Sequence, residues 1–259
     1  MNEHILQNAL ADLSIGEVRY FDTIGSTNDE ALAWATEHAP DLSLIIADEQ
    51  TTGRGRLNRK WLTPPGTALA FSLILRPSAA DHVHLSRAVG LAALAIAESL
   101  RKLHLTPQIK WPNDVLVHGR KIAGILVESV WSGESIDCQV VGMGINIRKE
   151  AIPHETVLQF PATSLEEALG SAPKREEVLH DILFALIELR PKLGTDEFLK
   201  AWEEKLAWRG EQVQTQALDE PPLTAKLLGL ESDGSLRLRD EHGNPVAVHF
   251  GDVSLRPAA

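Results

Sequence analysis

Cysteine is almost missing from this 259-residue chain, which carries only Cys138. A single thiol excludes a disulfide framework and points to a reducing compartment. Its place in a strand-like apolar run reads as core rather than as a nucleophile. No uninterrupted apolar run approaches the roughly 20 residues of a membrane span. The stretch from Met1 to Gly16 lacks the basic start and cleavage site of a signal peptide, so a soluble cytoplasmic protein with no membrane partner is expected. His82 and His84 have no partner at metal-ligand spacing, and there is no His-Glu-x-x-His and no cysteine pair. A structural zinc site is therefore not expected, and no Gly-x-Ser-x-Gly elbow appears. Positive charge is in deficit: 25 Lys+Arg against 36 Asp+Glu gives a formal charge of −11. Such a chain is a poor general binder of nucleic acid or anionic membrane. About 25 residues precede the first informative motif, too few for a helix-turn-helix domain, so no DNA partner is expected.

The composition itself is that of a globular protein, with 44% hydrophobic and 24% charged residues, 18 Gly and 14 Pro. That excludes disordered, collagen-like and coiled-coil chains. The length fits one large domain, or one large and one small. Residues 2–13 are expected to form a short helix. Strands are expected at 42–47, 67–75, 115–117, 122–127 and 139–147, and helices at 84–103, 176–189 and 196–207. After Gly210 the texture changes to short strand-like runs at 211–217, 223–230, 235–239 and 246–250, punctuated by turns. The expected division is 1–209 and 210–259, the second part a small β-barrel.

Four segments are candidates for chemistry. Thr52-Gly53-Arg54-Gly55-Arg56-Leu57-Asn58-Arg59-Lys60-Trp61 packs cations and glycines together in an acidic protein. Glycine lets backbone approach a ligand, and arginine forks suit phosphate and carboxylate. A solvated basic turn or a nucleic-acid patch is the plainer reading. The run lacks the last glycine of a dinucleotide fingerprint, and Gly119 to Gly124 lacks the Lys-Ser/Thr of a P-loop. In Lys110-Trp111-Pro112-Asn113-Asp114, proline biases Trp111 towards extended geometry and Asn-Asp favours a turn. Lys110 is thus expected at a strand end, with Asp114 and Lys121 converging near it. Val141-Gly142-Met143-Gly144-Ile145-Asn146-Ile147 carries two glycines in an apolar strand, a sign of close packing or of a ligand against backbone. Ser26-Thr27-Asn28 reads as a helix N-cap whose hydroxyls and amide also suit a ligand's polar head.

Taken in order, these segments resemble the biotin protein ligases. The resemblance rests on Ser26-Thr27-Asn28, Gln50 with Gly53-Arg54-Gly55-Arg56 and Trp61, and Lys110-Trp111-Pro112-Asn113-Asp114. It continues through Lys121-Ile122-Ala123-Gly124-Ile125-Leu126-Val127-Glu128 and Gly142-Met143-Gly144-Ile145-Asn146. Gly251-Asp252-Val253-Ser254-Leu255-Arg256 is similar to the family's closing motif. Asn58 departs from the glycine many members carry there. With no DNA-binding domain ahead of the first motif, the chain is similar to the monofunctional kind.

The resemblance implies an α+β fold. Its parts are a catalytic domain like that of class II aminoacyl-tRNA synthetases, with a mixed sheet and flanking helices, and a small SH3-like barrel. It implies ATP and Mg²⁺, biotin as substrate, and a biotin carboxyl carrier protein as partner, with a homodimer among the possible assemblies. Biotin is converted to biotinyl-5′-AMP and passed to a carrier lysine. Ser26, Thr27, Asn28 and Gln50 are implied to bind biotin's ureido head, with Arg54, Gly55, Arg56 and Lys110 also touching biotin. Arg54, Arg56, Trp61, Lys110 and Asn146 are implied to bind the nucleotide. Lys110 and Arg56 are candidate catalytic groups, with Asp114 and Lys121 orienting the acceptor lysine or the metal. A lipoate protein ligase and a non-catalytic sensor of biotinyl-adenylate are the competing readings.

Overall fold

A strand covered on both faces reads as an unbroken apolar run, and Ala-Leu-Ala-Phe-Ser-Leu-Ile-Leu is such a run. In the computed structural model it forms β3 (Ala68–Leu75), buried along its whole length. The structure describes residues 1–57, 59–61, 64–78, 81–152, 160–217, 221–250 and 253–258. Asn58, Gly251 and Asp252 of the motifs, and most of the turn expected after 217, lie outside them. β3 is the third strand of a seven-stranded sheet. The spatial order is β1 (Val18–Ile24), β2 (Leu44–Gln50), β3, β7 (Ser135–Asn146), β6 (Arg120–Ser132), β5 (Asp114–Val117) and β4 (Pro107–Lys110). β1 and β2 pair in parallel and every other neighbour is antiparallel, so the sheet is mixed.

Helices cover both faces. The parallel β1–β2 crossover passes through α2 (Thr27–Thr36), which Ser26 starts by accepting from the Asp29 amide. α2 lies against β2, β3, β6 and β7. On the opposite face α3 (Ala88–Lys102) and α5 (Arg175–Leu189) pack on each other and on the sheet. The helix expected at 84–103 is two pieces, a 3-10 stretch His82–Arg87 followed by α3. Together they carry mean hydropathy 1.3 over an 18-residue window, long and apolar enough to match a membrane span, but 67% of that window is buried inside the molecule. Its alanine- and leucine-rich surface is core.

The first expected helix is shorter than 2–13, spanning only α1 (Glu3–Ala9), which buries Leu6. α4 (Leu165–Leu169) follows Ser164, whose side chain accepts from the Glu167 amide. α6 (Asp196–Glu204) buries Phe198 and Trp202. A second, five-stranded antiparallel sheet has the order β11 (Pro245–Val248), β10 (Leu236–Arg239), β9 (Leu223–Leu230), β8 (Gln212–Ala217) and β12 (Val253–Pro257). Its inward residues Val213, Leu227, Leu236, Leu238 and Leu255 belong to the same hydrophobic cluster as Phe71, Trp111 and Leu183 of the larger body.

Candidate active site

A cavity of about 480 Å³ opens on the sheet face that α2 caps. Its floor is built by omission. Alternation along a strand sends every second side chain to one face, and on this face β6 and β7 carry Gly124, Gly142 and Gly144, with Gly124 paired to Gly144 across the ladder. A Cβ at Gly142 would overlap the Asn28 amide, and one at Gly144 would overlap the Trp61 indole. The two glycines therefore make room for side chains that line the cavity. All twelve side chains or backbones expected at the site converge on it: Ser26, Thr27, Asn28, Gln50, Arg54, Gly55, Arg56, Trp61, Lys110, Asp114, Lys121 and Asn146.

At one end is a cluster of hydroxyl and amide groups. Gln50 Oε1, at the end of β2, accepts from Thr27 N at 2.8 Å and from Thr27 Oγ1 at 3.0 Å. Ser72 Oγ lies 2.6 Å from Asn28 Oδ1 and 2.8 Å from Thr27 Oγ1. Asn28 Nδ2 donates to Glu128 Oε2 at 2.8 Å. Thr27, Asn28, Gln50 and Ser72 are buried, so each needs such a partner.

Residues 53–57 and 59–61 fold back on one another, and 54–57 and 59–61 line the cavity. Gly55 N donates to Arg59 O at 2.7 Å and Trp61 N to Gly53 O at 2.8 Å, with Arg54 bridged to Lys60. Leu57 takes the left-handed conformation at φ 57. Arg56 Nη1 donates to Asn113 Oδ1 at 3.0 Å. Arg54 also lines the cavity and is itself paired with carboxylates. Its fork donates to both oxygens of Glu128, and Nη2 also meets Asp29 Oδ1 at 2.6 Å. These carboxylates raise its pKa further, the Glu128 hydrogen bond foremost. The arginine fastens the loop to β6 and α2.

At the other end, one carboxylate holds two lysines. Asp114 Oδ2 lies 3.0 Å from Lys110 Nζ and Asp114 Oδ1 lies 2.6 Å from Lys121 Nζ. Burial works to raise the Asp114 pKa, but the two ammonium groups outweigh it and the carboxyl stays ionised. Burial pushes the Lys110 pKa down; Asp114 pulls it back, while Lys121 and Arg59 push it further down. The ring of Phe160 sits 5.0 Å from Lys110 Nζ. Each Asp114 oxygen is thus paired with a lysine. Asn146 Nδ2 donates to Thr163 O at 3.0 Å. The Trp61 indole rests on the glycine floor, and its buried Nε1 has no hydrogen-bond partner among the described residues.

Ser72, Glu128, Asn113, Phe160 and Arg256 belong to the site or to its immediate support but were not among the expected site residues. Ser72 is a lone polar residue in an apolar strand, which itself signals a buried hydrogen bond. Glu128 follows Gly124 and Leu126 at the two-residue period that places all three on one face.

Residues 20–146 match the family model of the biotin/lipoate A/B protein ligases, the class that this sheet, loop and lysine pair define. Among curated relatives, the bifunctional ligase/repressor BirA of Bacillus subtilis is 31% identical over 243 residues, covering 91% of this chain and 73% of the relative. The biotin–[acetyl-CoA-carboxylase] ligase of Paracoccus denitrificans is 34% identical over 245 residues, covering 87% of this chain and 97% of the relative. The biotin protein ligase of Aquifex aeolicus, solved in complex with biotin and ATP, superposes with a TM-score of 0.79 at 32% identity, covering 93% and 99% of the two chains. The chain belongs to the biotin protein ligase family.

Proposed function

We propose that this chain is an ATP-dependent ligase that activates biotin and transfers it to a lysine of a biotin carboxyl carrier protein. The carrying observation is the cavity's polarity: a cluster of hydroxyls and amides at one end and the Lys110–Asp114–Lys121 group at the other. Biotin has that same polarity, a ureido ring at one end and a carboxylate at the other. Thr27, Asn28, Gln50 and Ser26 face the ring. Lys110 sits between the biotin carboxylate and the α-phosphate of ATP. A carboxylate oxygen attacks the α-phosphorus, the bond to pyrophosphate breaks, and biotinyl-5′-AMP forms. Two anions meet in that step, so fixed cations lower its barrier. The acceptor lysine amine then attacks the acyl carbon and AMP leaves with the bonding pair.

Arg56 lies over the phosphate side, and Arg54 holds the loop down so that water is kept from the anhydride. Trp61 and Asn146 line the nucleotide side. Lys121 and Asp114 fix the orientation of Lys110 before the acceptor arrives. Among the described lining residues Asp114 is the sole carboxylate, and two lysines hold it. That donor set does not fit a protein-held magnesium, so Mg²⁺ belongs with the ATP phosphates. In this reading residues 1–209 form the catalytic unit, similar to class II aminoacyl-tRNA synthetases, and residues 210–259 an SH3-like unit. A net charge of −11 supports a reading without DNA.

Biotin-dependent exchange of pyrophosphate into ATP tests the first step, and labelling of an isolated carrier domain tests the second. Exchange with lipoate but not biotin would overturn the proposal.

A further inference from the structure

We infer that Trp111 is a positioning residue for Lys110, tying the strand end that carries the lysine to the β9–β10 turn of the second sheet. The inference rests on the role proposed for Lys110 and adds a cause for its placement. Both chain neighbours of Lys110 are held by residues beyond α6. On one side, Ile109 N donates to Lys205 O at 2.7 Å and Ala207 N donates to Ile109 O at 2.9 Å. On the other side, the Trp111 indole is fully buried, and its Nε1 donates to Gly234 O at 3.0 Å. The same ring stacks on Phe250 with centroids 5.2 Å apart.

The turn that receives Trp111 is itself rigidly held. Glu231 N donates to Ser235 O at 2.8 Å, Gly234 N donates to Glu231 O at 2.9 Å, and Gly234 occupies φ 87, a conformation that suits glycine. Three consecutive carbonyls of this turn each accept from a different side chain of the larger body. Ser232 O accepts from Arg87 Nε at 2.9 Å, Asp233 O from Ser86 Oγ at 2.7 Å, and Gly234 O from Trp111 Nε1. Arg87 is a buried cation, 4% exposed, whose hydrogen bonds run to the carbonyls of Ser232 and Leu193. Burying a guanidinium is costly, so a turn gripped this way has its position set closely. Trp111 alone among the three donors is covalently adjacent to a site residue. Through it, a shift of the small sheet reaches the lysine backbone, whereas the Ser26–Asn28 and Gln50 cluster stands on other elements.

Mere packing makes a different forecast: Trp111→Phe keeps a stacking ring and removes the N–H donor with part of the buried ring, and Arg87→Lys, which leaves the indole whole, separates the two. If Trp111 positions Lys110, adenylation at saturating biotin and ATP falls about 10- to 100-fold, while the biotin dissociation constant from calorimetry changes less than about twofold. Independently of any activity, Lys110 becomes more accessible. Its acetylation by acetic anhydride, followed by peptide mass spectrometry, rises about fivefold, as expected for loss of one hydrogen bond, with Lys226 as an internal reference. Arg87→Lys loosens the same turn from its far side and gives the same two changes, and it carries the test if Trp111→Phe does not fold. A folded variant with unchanged turnover and unchanged Lys110 labelling overturns the inference. Absence of biotin-dependent exchange in the parent protein would overturn the proposed function instead, and the labelling arm would still decide the role of Trp111.

Discussion

Arg54 and Glu128 face each other through two parallel hydrogen bonds of 2.9 and 2.8 Å. The same carboxylate accepts from Asn28, so the loop cation and the headgroup cluster are joined by one acidic side chain of β6. An arginine fork on a carboxylate has fixed geometry, and this one determines where the loop's first turn lies.

Glu128→Gln should therefore loosen the loop. Trypsin should cut after Arg54 faster in the ligand-free variant, by about three- to tenfold once the partial exposure of the pair is allowed for. Unchanged cutting would show that the backbone bonds between Gly53 and Trp61 suffice.

Lys110→Ala should leave the fold intact and lower adenylate formation by about 10²–10³, the usual effect of deleting one preorganised charge donor. Single-turnover formation of biotinyl-5′-AMP measures this directly. A near-normal rate would move the bridging role to another cation.

The pH dependence follows from Asp114. Adenylation needs Lys110 charged, so activity should be lost on the alkaline side as pH rises through its depressed pKa. Asp114→Asn removes the main influence holding that pKa up, so the alkaline limb should move to lower pH. The group also bears on stability. The folded pKa of Lys110 lies below the 10.5 of a free lysine, so unfolding takes up a proton in that window, and this contribution to stability rises with pH between the folded value and 10.5. A limb unmoved in Asp114→Asn would mean that another group titrates.

Gly144→Ala should displace Trp61, because the new methyl overlaps the indole. Nucleotide affinity should fall by about tenfold or more, while the melting temperature changes little, since alanine is at ease in a strand. Calorimetry with ATP and thermal unfolding give the two readings. Unchanged affinity would remove Trp61 from the nucleotide side.

Much of this site was legible because its residues come in short runs. Strand alternation in Gly142–Asn146 and the cap at Ser26 were local facts, and local facts survive in a sequence. β1 was not read as a strand because Val-Arg-Tyr-Phe-Asp-Thr-Ile at the sheet edge is only partly buried and shows no clean alternation. β4 is four residues long, below what periodicity resolves. The carboxylates that pair with Arg54 are not legible: Glu128 is 74 residues away, and pairing over such a distance leaves no local trace. Ser72 does leave a signal, as the lone polar residue of an apolar strand, but its partners Thr27 and Asn28 lie 45 and 44 residues away.

The glycine floor has a consequence for affinity. A pocket bounded by packed side chains can shrink when empty, as rotamers relax into it. Here the seats of Asn28 and Trp61 on the floor are set by strand pairing, whose backbone groups are already engaged in the Gly124–Gly144 and Leu126–Gly142 rungs of the ladder. Those seats therefore persist when no ligand is present, and an incoming ring meets walls placed during folding rather than ones it must arrange.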